Sequence, residues 1–189
     1  MLDVNIKLRC EEGYLLPDPR PYRVVVGSLL YLTIIRPDIS FLVGLVSRFM
    51  QAPRKPHLEA AKNIWKYFNS TLDMELFNKK WANFSFFGFT DADLGGDLDG
   101  RRSTSGYFFL SENTSISWCS KKQDLVSLST TKSEYRAATL GAQECVWLWR
   151  LFEDIHSPIH TPTTLFGDNQ SAIKLAMIPY AMQEQNILR

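Results

Sequence analysis

The sequence predicts an α/β protein, with a small helical segment followed by a mixed sheet and helices in the order β-β-β-α-β-α. Three observations carry that expectation. Up to about residue 70 the chain is a series of proline-bounded apolar segments. Near residue 84 its texture turns aromatic and β-prone. Beyond residue 130 a long segment repeats apolar residues at spacings of three and four, and a strand-like and a helix-like segment follow it.

Residues 1–21 read as a loose leader ending in Pro17, Pro19 and Pro21. Residues 22–36 and 38–51 are two apolar segments separated by Pro37, and residues 56–70 form a third. All three are expected to be helices. Pro56 suits a first helical turn, and Ala61, Ile64, Trp65 and Phe68 would share the buried face of the third. Phe84 to Thr90 is the first expected strand and ends at Asp91. Gly95, Gly96 and Gly100 make the next stretch a loop. Tyr107–Leu110 and Ser115–Cys119 read as a hairpin turning at Glu112-Asn113. A helix from about Thr131 to Ile155 would bury Tyr135, Ala138, Ala142, Cys145, Trp149 and Phe152, and Pro158 and Pro162 end it. Thr163–Gly167 is a short strand and Asn169–Met177 a last helix. The division falls near residue 83, between a helical part (1–83) and a sheet part (84–189).

Composition excludes several classes. Hydrophobic residues make up 45% of the 189, and charged residues 22%, as in a folded domain. The formal net charge is +1, so bulk charge does not drive the chain onto nucleic acid or membrane. Cys10, Cys119 and Cys145 are isolated and odd in number, which argues against a disulfide scaffold or zinc knuckle and for a reducing compartment. His156 and His160 have metal-ligand spacing, but Ser157-Pro158 breaks the helix such a pair needs. The apolar run Val24–Ile35 falls short of the ~20 residues that span a bilayer. No membrane is expected as a partner, and the expected location is intracellular, cytoplasmic or nuclear.

Three acids stand at telling places. Asp91 closes the first strand, Glu134 lies in the first turn of the long helix, and Asp168 closes the last strand. Strand ends and helix starts of one sheet can converge on a single edge. Convergent carboxylates repel one another unless a cation sits among them, and a hard divalent ion such as Mg²⁺ suits a few carboxylates. Two such ions ~4 Å apart would activate water and stabilise the leaving oxygen of a phosphodiester. Each acid also has a plain structural reading. Thr131-Lys132-Ser133-Glu134 fits a capping box, Asp168 could cap the last helix, and Asp91 could simply stop a strand. Asp91-Ala-Asp93-Leu-Gly95-Gly96 suggests a calcium loop, but Gly95 and Arg102 fall where that loop requires ligands.

Six blocks then become specific. Tyr31-Leu-Thr-Ile-Ile-Arg-Pro-Asp38-Ile, Phe89-Thr-Asp-Ala-Asp-Leu-Gly-Gly-Asp97 and Arg101-Arg-Ser-Thr-Ser-Gly-Tyr107 come first. Ile116-Ser-Trp-Cys-Ser-Lys-Lys-Gln123, Leu128-Ser-Thr-Thr-Lys-Ser-Glu-Tyr135 and Asp168-Asn-Gln-Ser-Ala172 follow. In this order they resemble the Pol polyprotein of copia-type LTR retrotransposons. The resemblance implies an RNase H-like sheet, incomplete here, preceded by a helical segment connecting it to a reverse transcriptase. It places the family's catalytic, metal-binding acids on Asp91, Glu134 and Asp168, with Mg²⁺ (or Mn²⁺) as the cofactor and the RNA of an RNA–DNA hybrid as substrate. Leu94 replaces an expected Trp, Lys132 an acid and Gly167 a Cys. The family continues past the last helix with a basic segment and a fourth acidic ligand. Gln183–Arg189 does not match, and Glu184 has no placement as that ligand. The expectation is an RNase H-type hydrolase impaired by truncation. The alternatives are an inactive nucleic-acid-binding remnant, or a module that docks on a polymerase domain through Val24–Ile35 and Ile39–Met50.

Between Arg48 and Lys80 seven basic residues face three acidic ones. Arg54, Lys55, Lys62 and Lys66, with Arg101, Arg102, Lys121 and Lys122, are the candidate contacts to the phosphates of a hybrid helix. The competing reading is a solvated helix face, with Arg101 and Arg102 neutralising Asp97 and Asp99.

Overall fold

A computed structural model describes residues 6–74, 76, 86–111 and 114–177. The helical part is built from α1 (Arg20–Leu32), a 3₁₀ turn (Pro37–Ile39), α2 (Ser40–Ser47) and α3 (Lys55–Ser70). Prolines set these boundaries: Pro21, Pro37 and Pro56 each stand in a first turn, where a missing N–H costs nothing. Tyr22, Val26 and Leu29 of α1 pack with Leu42, Val43 and Val46 of α2 and with Ala60, Ala61 and Ile64 of α3. Two polar groups are buried with them and are satisfied. The Tyr22 hydroxyl donates to the Val46 carbonyl at 2.6 Å. His57 stacks on Phe49, accepts from the Arg54 N–H at Nδ1, and so presents Nε2–H to the Arg9 carbonyl. Arg36 joins the loop after α1 to the end of α3, bridging Asp38 and Thr71.

The leader differs from its expectation. It is strapped onto α3 instead of hanging loose, since the Arg54 guanidinium donates to the Cys10 and Gly13 carbonyls and Leu16 N–H donates to Pro53. Leu8 is buried in the helical core, which explains why the strap closes. The apolar docking face is also corrected in part. Ile39, Leu42, Val43, Leu45, Val46 and Phe49 are core residues, while Val24, Tyr31, Ile34 and Ile35 remain exposed. On α3, Trp65 is 41% exposed and His57 and Ala60 take the buried places beside Ala61 and Ile64.

The second part is α/β with a mixed four-stranded open sheet in the order β3-β2-β1-β4, compatible with the incomplete RNase H-like fold expected. Its strands are β1 (Phe86–Ala92), β2 (Thr104–Ser111), β3 (Thr114–Lys122) and β4 (Thr164–Phe166). β1, β2 and β3 form an antiparallel meander, with the expected turn residues 112–113 outside the described residues. Helix α4 (Thr130–Asp154) carries the chain back so that β4 lies parallel to β1. Residues 170–177 form a last helix, α5. The division near residue 83 likewise falls outside the described residues. The two parts touch where α2 packs on β3 and the Trp118 indole N–H donates to the Thr33 carbonyl at 2.8 Å. No helix among the described residues is long and apolar enough to cross a membrane.

The face of α4 is the main correction. Ser133, Glu134, Ala137, Gly141 and Leu148 are buried, while Tyr135, Ala142 and Trp149 of the expected stripe are exposed. Small side chains win because they let the helix approach the sheet closely. A Cβ at Gly141 would lie 2.5 Å from Thr90 Cγ2, and one at Gly88 would lie 2.5 Å from the Phe109 ring. Gly141→Ala gains helix propensity of ~1 kcal/mol but forces overpacking that typically costs ~1–3 kcal/mol. The expected result in urea titration is a net loss of stability. Thr90→Ser removes the opposing methyl and keeps its hydroxyl, so the double variant should recover most of that loss. Additive effects would contradict this packing.

Candidate metal centre

Asp91 is the penultimate residue of β1, Glu134 lies in the second turn of α4, and Asp168 directly follows the loop from β4. The parallel pairing of β1 with β4, and the packing of α4 across both, bring all three to one end of the sheet. One carboxylate oxygen from each lies within 4.8 Å of the others. Asp91 and Asp168 are exposed, and Glu134 is 7% exposed.

The plain structural readings of two of these acids do not hold. Ser129 is the N-cap of α4, its hydroxyl accepting from the Lys132 N–H, so Glu134 closes no capping box. Asn169 caps α5, its Oδ1 accepting from the Ala172 N–H at 2.9 Å, which leaves Asp168 free of that task. The Ala92 N–H lies beside the Glu134 carboxylate and favours its charged form. Burial first, then the charges of Asp91 and Asp168, push its carboxyl up to about 7. Three carboxylates are hard oxygen donors that could hold a divalent ion such as Mg²⁺ or Mn²⁺, which would displace the proton that burial and its neighbours favour on Glu134.

The loop after β1 uses its acids internally. Asp93 accepts from the Thr104 N–H, and Asp97 pairs with Lys122 and accepts from the Gly100 N–H. That agrees with setting aside a calcium loop. His156 lies just past α4 with a positive φ of 60° and its ring on the Asp154 carbonyl.

Comparison with known proteins bears on what this arrangement belongs to. The retrovirus-related Pol polyprotein from transposon RE2 of Arabidopsis thaliana is 38% identical over 173 residues, 92% of this chain and 12% of that protein. The corresponding Pol polyprotein from transposon TNT 1-94 of Nicotiana tabacum is 43% identical over 159 residues, 82% of this chain and 12% of that protein. The chain belongs to the retrovirus-related Pol polyproteins of copia-type transposons. It spans 12% of the length of these relatives, so it corresponds to one segment of Pol. A protein named secreted RxLR effector protein 161, from Plasmopara viticola, is 41% identical over 129 residues, 68% of this chain and 91% of that protein. Comparison with family models gave no match, and neither did comparison with solved structures.

In this Pol segment several of the expected phosphate contacts have partners within the protein. Arg54 is engaged with the leader carbonyls, and Lys122 pairs with Asp97. Lys55 stands 3.9 Å from Glu59 on the exposed side of α3. Lys62 and Lys66 flank Trp65 in a shallow depression closed by Val24, Val25 and Ser28 of α1. Lys121 is exposed and lines a groove between the end of β3 and α4, together with Arg136, Tyr135 and Gln143. In the competing reading Arg101 and Arg102 neutralise Asp97 and Asp99, but both acids have other partners. Lys122 takes Asp97, and the Cys10 N–H takes Asp99 at 2.8 Å. The bases Lys79 and Lys80 lie outside the described residues, as does Glu184.

The raised Glu134 carboxyl has a stability consequence. It ionises near 4.5 in an unfolded chain and near 7 when folded, so the folded form holds the extra proton between these values. Stability from this group is present at acid pH and is lost as pH rises through about 7. Asp91→Asn removes one of the repelling charges. In chelator at pH 8 the variant should be more stable than wild type by about 1 kcal/mol, since moving a pKa by one corresponds to ~1.4 kcal/mol. The gap should close toward pH 5, which urea titration at the two pH values checks. A variant no more stable at pH 8 would contradict the mutual repulsion.

Proposed function

We propose that this Pol segment carries a divalent-metal hydrolytic centre of the RNase H type, acting on the RNA strand of RNA–DNA hybrids. The observation that supports it is the approach of Asp91, Glu134 and Asp168 to within 4.8 Å, with two of them open to solvent. A bound divalent ion would supply an activated water and stabilise charge on the scissile phosphate. The chain's own residues account for the rest. Asp91 and Asp168 offer oxygens on the solvent side, where a phosphodiester can approach. Glu134 offers a desolvated oxygen beside the Ala92 N–H, which favours its charged form.

A second reading has one specific support. Among the described residues three carboxylates converge, which anchors a single ion, whereas clamping both attacking and leaving oxygens uses a pair. The alternative is therefore a segment that binds a hybrid without cutting it efficiently.

Single-turnover cleavage of a hybrid labelled on each strand, with excess protein in Mn²⁺ or Mg²⁺, separates the two. The expected result is slow cleavage of the RNA strand alone, abolished by chelator. Asp91→Asn should lower it by at least ~10², the usual effect of removing one such electrostatic contribution. Salt-sensitive binding of the hybrid with no metal-dependent cleavage would establish the alternative instead.

A further inference from the structure

We propose that Gln123 is a positioning residue of the carboxylate centre: its buried side-chain amide locks the start of α4 to β2 and thereby sets where the Glu134 carboxylate stands. The inference rests on the metal-centre reading for its consequence but not for its geometry. Gln123 lies just past the end of β3 and is buried, with every side-chain hydrogen-bonding group that faces the protein in use. Its Nε2 donates to Ser105 Oγ on β2 at 2.9 Å and to the Ser133 carbonyl on α4 at 3.0 Å. Its Oε1 accepts from Ser127 Oγ at 2.9 Å, and its backbone N–H donates to the Ser103 carbonyl at 2.8 Å.

These bonds close a ring around Glu134. Ser133 immediately precedes Glu134. Ser105 is the register partner of Ala92 across the β1–β2 ladder. The Ala92 N–H is the backbone group beside the Glu134 carboxylate that favours its charged form. One amide therefore ties together the residue before the carboxylate and the register partner of Ala92. Arg136 extends the lock, donating to Ser127 Oγ at 3.0 Å and to the Leu125 carbonyl at 3.1 Å. Buried polar networks of this kind are costly when broken, because each orphaned partner remains desolvated. The Ser133 carbonyl and the Ser105 hydroxyl would lose their Gln123 donor together.

The consequence is a shift or loosening of the first turns of α4 relative to β1. Partners that orient metal-binding groups typically cost 10–100-fold in metal affinity when removed. A residue that merely stabilised the fold would lower the melting temperature and leave the affinity of the folded protein unchanged.

The test uses the full chain and Mn²⁺ alone as the probe, with binding read by electron paramagnetic resonance well below the melting temperature. Gln123→Leu should bind Mn²⁺ at least tenfold more weakly than wild type. The amide exchange of Ala92 should accelerate, while that of Phe109, in the middle of the sheet, keeps its protection. Gln123→Glu, nearly the same shape but with no donor toward the Ser133 carbonyl, covers the case in which the leucine variant fails to fold, and the same two changes are expected. Wild-type Mn²⁺ affinity and wild-type Ala92 exchange in either folded variant would overturn the proposal. A wild-type chain that takes up no Mn²⁺ sinks the metal reading alone, and the Ala92 exchange then decides the positioning.

Discussion

Asp91, Glu134 and Asp168 bring three carboxylates within 4.8 Å, and their mutual repulsion is relieved within the trio only by the proton favoured on Glu134. The scaffold has to impose the arrangement, and much of the sheet part can be understood as the means of doing so. β4 runs parallel to β1, which places two acids at the same end of neighbouring strands. The approach of α4 to β1 at Gly141 and Thr90 brings the third acid down onto them. The Ala92 N–H lies beside Glu134 and favours its charged form. Close packing, more than hydrophobic area, sets this geometry: the residues of α4 facing the upper sheet are Ser133, Ala137 and Gly141.

The helical part contributes by covering. α2 lies against β3, Arg48 reaches Thr104 on β2 at 2.9 Å, and the leader reaches the loop after β1 through Cys10 and Asp99. Thr104 also donates its N–H to Asp93, two residues beyond Asp91. The helical part thus shares hydrogen bonds with the loop beside the carboxylates. Burial lowers the affinity of Arg48 for its proton while Asp97 and Asp93 act the other way, which is the balance expected of a cation placed to serve a local acidic loop.

The elements were legible because proline and periodicity act locally. Pro21, Pro37 and Pro56 mark helix starts whatever lies around them. The alternation of β1 shows in its burial, with Phe86, Gly88, Thr90 and Ala92 turned inward. What stayed hidden depends on partners far along the chain. The rotation of α4 followed its small residues, which a search for apolar stripes passes over. Ser129 and Asn169 take the caps that the plain readings gave to Thr131, two residues later, and Asp168, one residue earlier. Placement at strand ends and a helix start pointed to the three acids, and the resemblance pointed to the same positions. The basic residues were legible only as charge: Arg54 and Lys122 have internal partners 41 and 25 positions away at Gly13 and Asp97.

The central physical claim is that these three carboxylates are gathered to hold a divalent cation. Anomalous diffraction from crystals equilibrated with millimolar Mn²⁺ tests it most directly. The predicted result is a peak bound by oxygens of Asp91, Glu134 and Asp168, at about 2.0–2.3 Å from each, as hard-cation coordination requires. A crystal with Mn²⁺ at other sites and none among the three acids, or with the acids drawn apart at the same pH, would contradict it.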